Sequence, residues 1–158
     1  MKNTLLLFFT LFFVNVFSQN EKTKEAVVIL TTNDSLGGKK LGDVPFAVIE
    51  EVPIYPGCED FERNKKMECF NSKVTEHINT TFKYPAKARK KNIQGRVHVM
   101  FVINKEGEIT NIETRGGDPI LQTEALRIVR LLPKMKPGMQ KGKPVNVKYS
   151  LPIIFRLN

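Results

Sequence analysis

A chain of 158 residues, 41% of them hydrophobic, has room for one modest core plus tails, which excludes a multidomain enzyme. Its formal net charge of +9 suits anionic envelope polymers, lipid head groups or an acidic protein partner. Nucleic acid is not expected as a partner, because the basic runs at 87–91 and 134–143 carry no interleaved aromatics on which bases would stack.

Lys2 precedes an apolar run over residues 5–17, and Ser18 stands before Gln19. These features predict a cleavable signal peptide over residues 1–18 and a periplasmic mature protein. The run is shorter than the ~20 apolar residues that a membrane helix needs; if retained, it would anchor the chain in the inner membrane. Residues 19–66 read as a tail or extended N-terminal segment. Within it, residues 19–44 mix Lys, Glu, Thr, Asn and Gly around the short apolar run 26–30, which offers an edge strand. The stretch 45–57, PFAVIEEVPIYPG, carries three prolines that exclude a helix interior and predict extended chain on a surface. Cys58 and Cys69 make an even count in an oxidising compartment, which points to a disulfide closing a loop of about ten residues. A pair of free buried thiols is the alternative.

From residue 67 to 82 the apolar residues Phe70, Val74, Ile78 and Phe82, with His77, form a helical stripe. Tyr84-Pro85 ends it, since a residue before proline is pushed out of the α region, and Pro85 opens a short basic helix over 86–91. The clearest strand is 94–104: Val97, Val99, Phe101 and Ile103 make one face, and Arg96, His98, Met100 and Val102 the other. NKEG is a hairpin signal with Gly107 at its turn. The return strand, 108–114, holds Ile109 and Ile112 at opposite parity, which predicts a bulge or a strand covered on both sides. Asp118 is an N-cap and Pro119 a first helical residue; Leu121, Ala125, Ile128 and Leu132 then form one stripe. PKMKPGMQKGKP reads as a basic loop, and 145–157 as a last strand interrupted by Pro152. This order predicts an α+β fold, a two-layer sandwich in which an antiparallel three-stranded sheet carries helices packed on one face, with the domain spanning residues 67–158.

Catalytic residues are not expected. His77 and His98 sit among apolar residues and read as structural; the spacing of Cys and His fits no metal site, and the Gly pairs at 37–38 and 116–117 read as turns, so neither metal nor cofactor is implied. What is left is backbone: an open sheet edge offers N–H and C=O groups to an extended peptide. If that edge is the last strand, Pro144, Lys148 and Pro152 either shape peptide pairing or only protect the edge from aggregation.

YPAKARKKNIQGRVHVMFVINKEGEITNI, then EALRIV, then LPKMKPGMQKGKPVNVKYSLPIIFRL together resemble the C-terminal domain of the TonB energy transducers. The similar residues are Tyr84-Pro85, Ala88, Gly95, Gly107, Glu124-Ala125, Pro137-Gly138 and the closing Pro-Ile-x-Phe. The resemblance implies a domain without enzymatic activity that captures the N-terminal box peptide of outer-membrane receptors by strand addition and supports energy-coupled transport. It implies partner binding by Val145, Asn146, Val147, Lys148, Tyr149, Ser150, Leu151, Ile153 and Phe155, flanked by Lys83, Tyr84 and Pro85. On this reading proline at Val147 or Tyr149 abolishes peptide binding, and alanine costs less. The implied partners are a receptor peptide, an inner-membrane proton-driven motor complex if the N-terminus is retained, and a homodimer through exposed edges. The sequence departs from typical transducers in its short apolar run, in having no Glu-Pro or Lys-Pro linker repeats, and in Lys83, where glutamine is common. An exported scaffold or interaction module using the same edge without energy coupling is therefore the alternative.

Overall fold

The computed structural model describes residues 27–28 and 42–157; the expected signal peptide and residues 19–26 and 29–41 of the expected tail lie outside these residues. Among these residues three α-helices lie in chain order as α1 (Arg63–Thr81), α2 (Ala86–Lys90) and α3 (Pro119–Arg130). Helix α1 starts before the expected Met67, since Arg63-Asn64-Lys65-Lys66 continues the helix outward, and it buries Phe70, Val74 and Ile78. The chain leaves the helix at Phe82, whose N–H donates to the Ile78 carbonyl at 2.9 Å. The predicted cap of α3 is present: the Asp118 carboxylate accepts from the Ile120 N–H at 2.8 Å, ahead of Pro119 at the helix start.

Among the described residues six strands run in chain order as β1 (Val27–Val28), β2 (Asp43–Pro45), β3 (Gly95–Ile103), β4 (Ile109–Arg115), β5 (Gly138–Gln140) and β6 (Lys143–Phe155). The predicted two faces of β3 are those observed, with Val97, Val99, Phe101 and Ile103 fully buried and Arg96 and His98 exposed. Asn104 holds the β3–β4 hairpin, its side-chain oxygen accepting from the N–H groups of Glu106 and Glu108 at 3.0 and 2.8 Å. The parity mismatch of Ile109 and Ile112 is a bulge. Met100 opposes Glu113 and Val102 opposes Thr110, so Asn111 and Ile112 share the place opposite Phe101, and Asn111 adopts φ +48°.

The predicted antiparallel trio β4-β3-β6 is the centre of the sheet, with β3 and β6 paired from Gly95↔Phe155 to Ile103↔Val147. Three strands are too few, however. β1 pairs antiparallel with β6, β2 pairs parallel with it, and β5 folds back on it, so the sheet is mixed. The supposed basic loop supplies β5 through a tight turn in which Lys141 and Gly142 both take positive φ, at +50° and +69°.

The N-terminal stretch is not laid loosely on a surface. Phe46, Ile49, Val52, Tyr55 and Cys58 are buried and belong to the same core as the helices and sheet. Their spacing of three suits chain with three residues per turn: Phe46–Val48 is a single 3-10 turn, and Pro53 and Pro56 favour the extended three-fold conformation beyond it. Backbone pairs fix this strap to β5 and the segment just before it. Glu51 and Met139 exchange bonds of 3.1 and 2.9 Å, and Ile54 and Lys136 exchange two of 3.0 Å. Cys58 and Cys69 then join it to α1 as a disulfide, with Cα atoms 6.0 Å apart.

Candidate partner-binding edge

Period-two alternation divides β6. Val147, Tyr149, Leu151, Ile153 and Phe155 are buried in the core, whereas Ser150 is exposed and Val145, Asn146 and Lys148 are half-buried. The first five therefore contribute no side chain to a partner; they hold the strand in place. Proline at Val147 or Tyr149 does not isolate peptide pairing as the sequence reading expects, because it would also disrupt core packing and the register with Ile103 and Phe101. A partner can reach the outer backbone, Lys148 and Ser150.

That outer edge, expected to be open, is partly taken. β2 pairs along Asn146, Val147 and Lys148, and β1 along Ile153 and Ile154, both on the side away from β3. Tyr149, Ser150, Leu151 and Pro152 have no strand partner on this side among the described residues. At the far side of the sheet, β4 likewise has no outer partner among them, and its bulge interrupts any long pairing there.

An aromatic cluster under β6 fixes the strap. The Tyr149 ring meets Phe46 at 4.9 Å, Phe70 at 5.2 Å and Phe101 at 5.5 Å between centroids, so β6, the strap, α1 and β3 converge on one residue. The Tyr149 hydroxyl donates to Asn71 Oδ1 at 3.0 Å, and burial pushes its pKa far above the ordinary tyrosine value.

Lys83, Tyr84 and Pro85 lie at the joint between α1 and α2, beside the end of β6. The Tyr84 ring packs on Phe82 and Phe155 with centroids 6.2 and 6.1 Å away, and its hydroxyl donates to the Ile93 carbonyl at 2.6 Å. Burial raises the pKa of this hydroxyl, with Arg89 opposing the shift. The Lys83 N–H donates to Glu124 Oε1 at 2.9 Å, and Arg127 donates to both Glu124 oxygens at 2.8 and 2.6 Å. These residues brace the strand end from the helix side, while the Lys83 side chain itself is exposed.

His77 Nε2 lies 3.0 Å from the Ile128 carbonyl, which gives it a structural role between α1 and α3, and His98 is exposed on the other sheet face. Among the described residues no cluster of His, Cys, Asp or Glu is arranged to hold a metal, and no helix is long and apolar enough to cross a membrane. The residues that sequence reasoning missed are Asp43, Val44, Pro45 and Phe46 on the strap and β5 beyond it. The one signal that pointed to the strap is the three-residue spacing from Phe46 to Cys58.

A family model described as Gram-negative bacterial TonB protein C-terminal matches residues 80–157. Two solution structures of the Helicobacter pylori TonB C-terminal domain are similar to the chain. One, of residues 179–285 of that protein, is 26% identical with a TM-score of 0.46, covering 63% of this chain and 87% of that one. The other, of residues 194–285, is 28% identical with a TM-score of 0.38, covering 54% and 91%. No curated protein matches the chain.

Proposed function

We propose that the protein captures the N-terminal box peptide of outer-membrane receptors, on the ground that residues 80–157 match the family model of the TonB C-terminal domain, a family of non-enzymatic interaction domains of the cell envelope. The peptide adds as a strand to the outer edge of β6 and so supports energy-coupled transport. The observation that carries this reading is the asymmetry of β6. Its inner side is paired with β3 over all nine residues of that strand, whereas its outer side meets only short fragments and leaves Tyr149–Pro152 with no strand partner among the described residues. A bare backbone edge recognises extended chain whatever its side chains. Lys143 and Lys148 along the same strand favour an acidic peptide. Pro152, having no N–H, limits how far pairing runs. If the N-terminal apolar run is retained, the inner-membrane proton-driven motor is the second partner and supplies the force.

The test is titration of the oxidised protein with synthetic peptides from receptor N-termini, followed through the backbone amide NMR signals of residues 146–151. Saturable shifts confined to β6 and its neighbours are expected. Unchanged spectra at millimolar peptide, with the sheet intact, would remove the capture reading. A scaffold module without energy coupling is the second reading, and the pairing of Asn146, Val147 and Lys148 with β2 favours it, since an edge already filled suits a fixed assembly.

A further inference from the structure

Building on the capture reading, we infer that β2 is a built-in competitor that peels from β6 to admit the receptor peptide. It occupies the centre of the same edge, with Asp43, Val44 and Pro45 in parallel register with Asn146, Val147 and Lys148. Its hold is weak. It is three residues long, Pro45 has no N–H to give, and none of the three is buried. One side-chain bond reinforces it, from Asn146 Nδ2 to Asp43 Oδ1 at 3.3 Å.

The next residue is of a different kind. Phe46 is 6% exposed, with its ring 4.7 Å from Phe70 and 4.9 Å from Tyr149. Beyond it come buried Ile49, Val52 and Tyr55, the backbone pairs at Glu51 and Ile54, and the disulfide at Cys58. Stability thus rises sharply at Phe46, and opening that starts from Gly42 stops there. The length of the edge gives the step its purpose. Four unpaired residues, 149–152, are short of the roughly five or six of an ordinary strand, but release of 146–148 joins them into one stretch from Asn146 to Pro152. A peptide that needs this stretch binds in proportion to the fraction of molecules with β2 released.

Val44→Pro weakens β2 without altering β6, and Val44→Gly is a milder change that keeps the amide. In the oxidised full chain, Val44→Pro is expected to speed hydrogen exchange of the β6 amides of Asn146 and Lys148, which face β2, while leaving those of residues 97–101 protected. The affinity of a synthetic receptor N-terminal peptide is expected to rise about tenfold or more, with a smaller rise for Val44→Gly. Equal Kd for all three proteins despite faster exchange would overturn the competitor and leave peptide capture standing. Exchange of the Asn146 and Lys148 amides as slow as in β3 in the unaltered protein would also overturn it. Peptide binding to none of the three would remove capture itself, and the competitor with it. Should Val44→Pro lose the protection of β3, Val44→Gly decides by the same two readouts.

Discussion

Glu124 is nine-tenths buried among helices, and its carboxylate has three donors: the Lys83 N–H and two nitrogens of Arg127. Arg127 also donates to the Thr81 carbonyl at 2.6 Å, close to the C-terminal end of α1. The pair therefore ties α3 to the chain that leads into Tyr84-Pro85, which accounts for a glutamate at this place in the Glu124-Ala125 motif. Glu124→Ala leaves the Lys83 N–H and the guanidinium without their acceptor. A loss of about 1–3 kcal/mol is expected, because orphaned donors forfeit their solvation and not only one net hydrogen bond. Chemical denaturation of the variant measures it. Arg127 is partly exposed, so water takes up some of the slack and the lower part of the range applies if the joint relaxes. A stability equal to that of the unaltered protein would mean that the joint is held by Tyr84 and Phe155 alone. Sequence inspection singled out Glu124 by resemblance; its ion pair with Arg127, three residues on, follows from helix geometry once the helix is placed.

The β3–β4 hairpin and the segment before β5 meet at Gly107. Its φ is +82°, and the Met135 N–H donates to its carbonyl at 2.9 Å. A Cβ at this position would run into the Met135 backbone carbonyl. Gly107→Ala thus combines an unfavourable backbone conformation with a backbone collision, and a loss of roughly 2 kcal/mol or more is expected. The damage should spread to the strap, because Lys136, one residue after Met135, pairs with Ile54. Hydrogen exchange at Ile54 and Lys136 tests this coupling, and unchanged protection there would show the two contacts to be independent. At this scale the sequence was legible where a pattern repeats. Alternation marked β3, the capping residues marked α3, and the parity of Ile109 and Ile112 marked the bulge. β5 was not legible: three residues in a lysine-rich loop carry no periodic signal, and its Lys141-Gly142 turn is less distinctive than Asn-Gly.

At the level of the whole molecule, the disulfide closes the strap onto α1. The short loop between Cys58 and Cys69 is worth roughly 2–3 kcal/mol by restricting the unfolded chain. Replacing both cysteines by alanine is expected to lower stability by about that amount while leaving the native fold, because Phe46, Ile49, Val52 and the backbone pairs at Glu51 and Ile54 still hold the strap. Denaturant midpoints of the double variant and of the reduced protein check this. If the strap is released altogether, the native-like contacts of Phe46 with Tyr149 would vanish from the NMR spectrum, and the anchor would prove to be the disulfide alone.

By itself the sequence determined the local elements and the central trio of strands. Alternating β-branched and aromatic residues, an Asp-Pro helix start and an Asn-to-Gly hairpin impose conformations on their own stretch of chain. It also determined which residues face the core of β3, since side-chain direction in a strand has a period of two. Only the tertiary structure decided what lies along the outer edge of β6. Strand pairing there is made by backbone groups that every residue other than proline carries in full, so no side-chain pattern announces that Asp43, Val44 and Pro45 will take that place. The choice is made at a distance, by Phe46 finding the space between Phe70 and Tyr149 and bringing the three residues before it against β6.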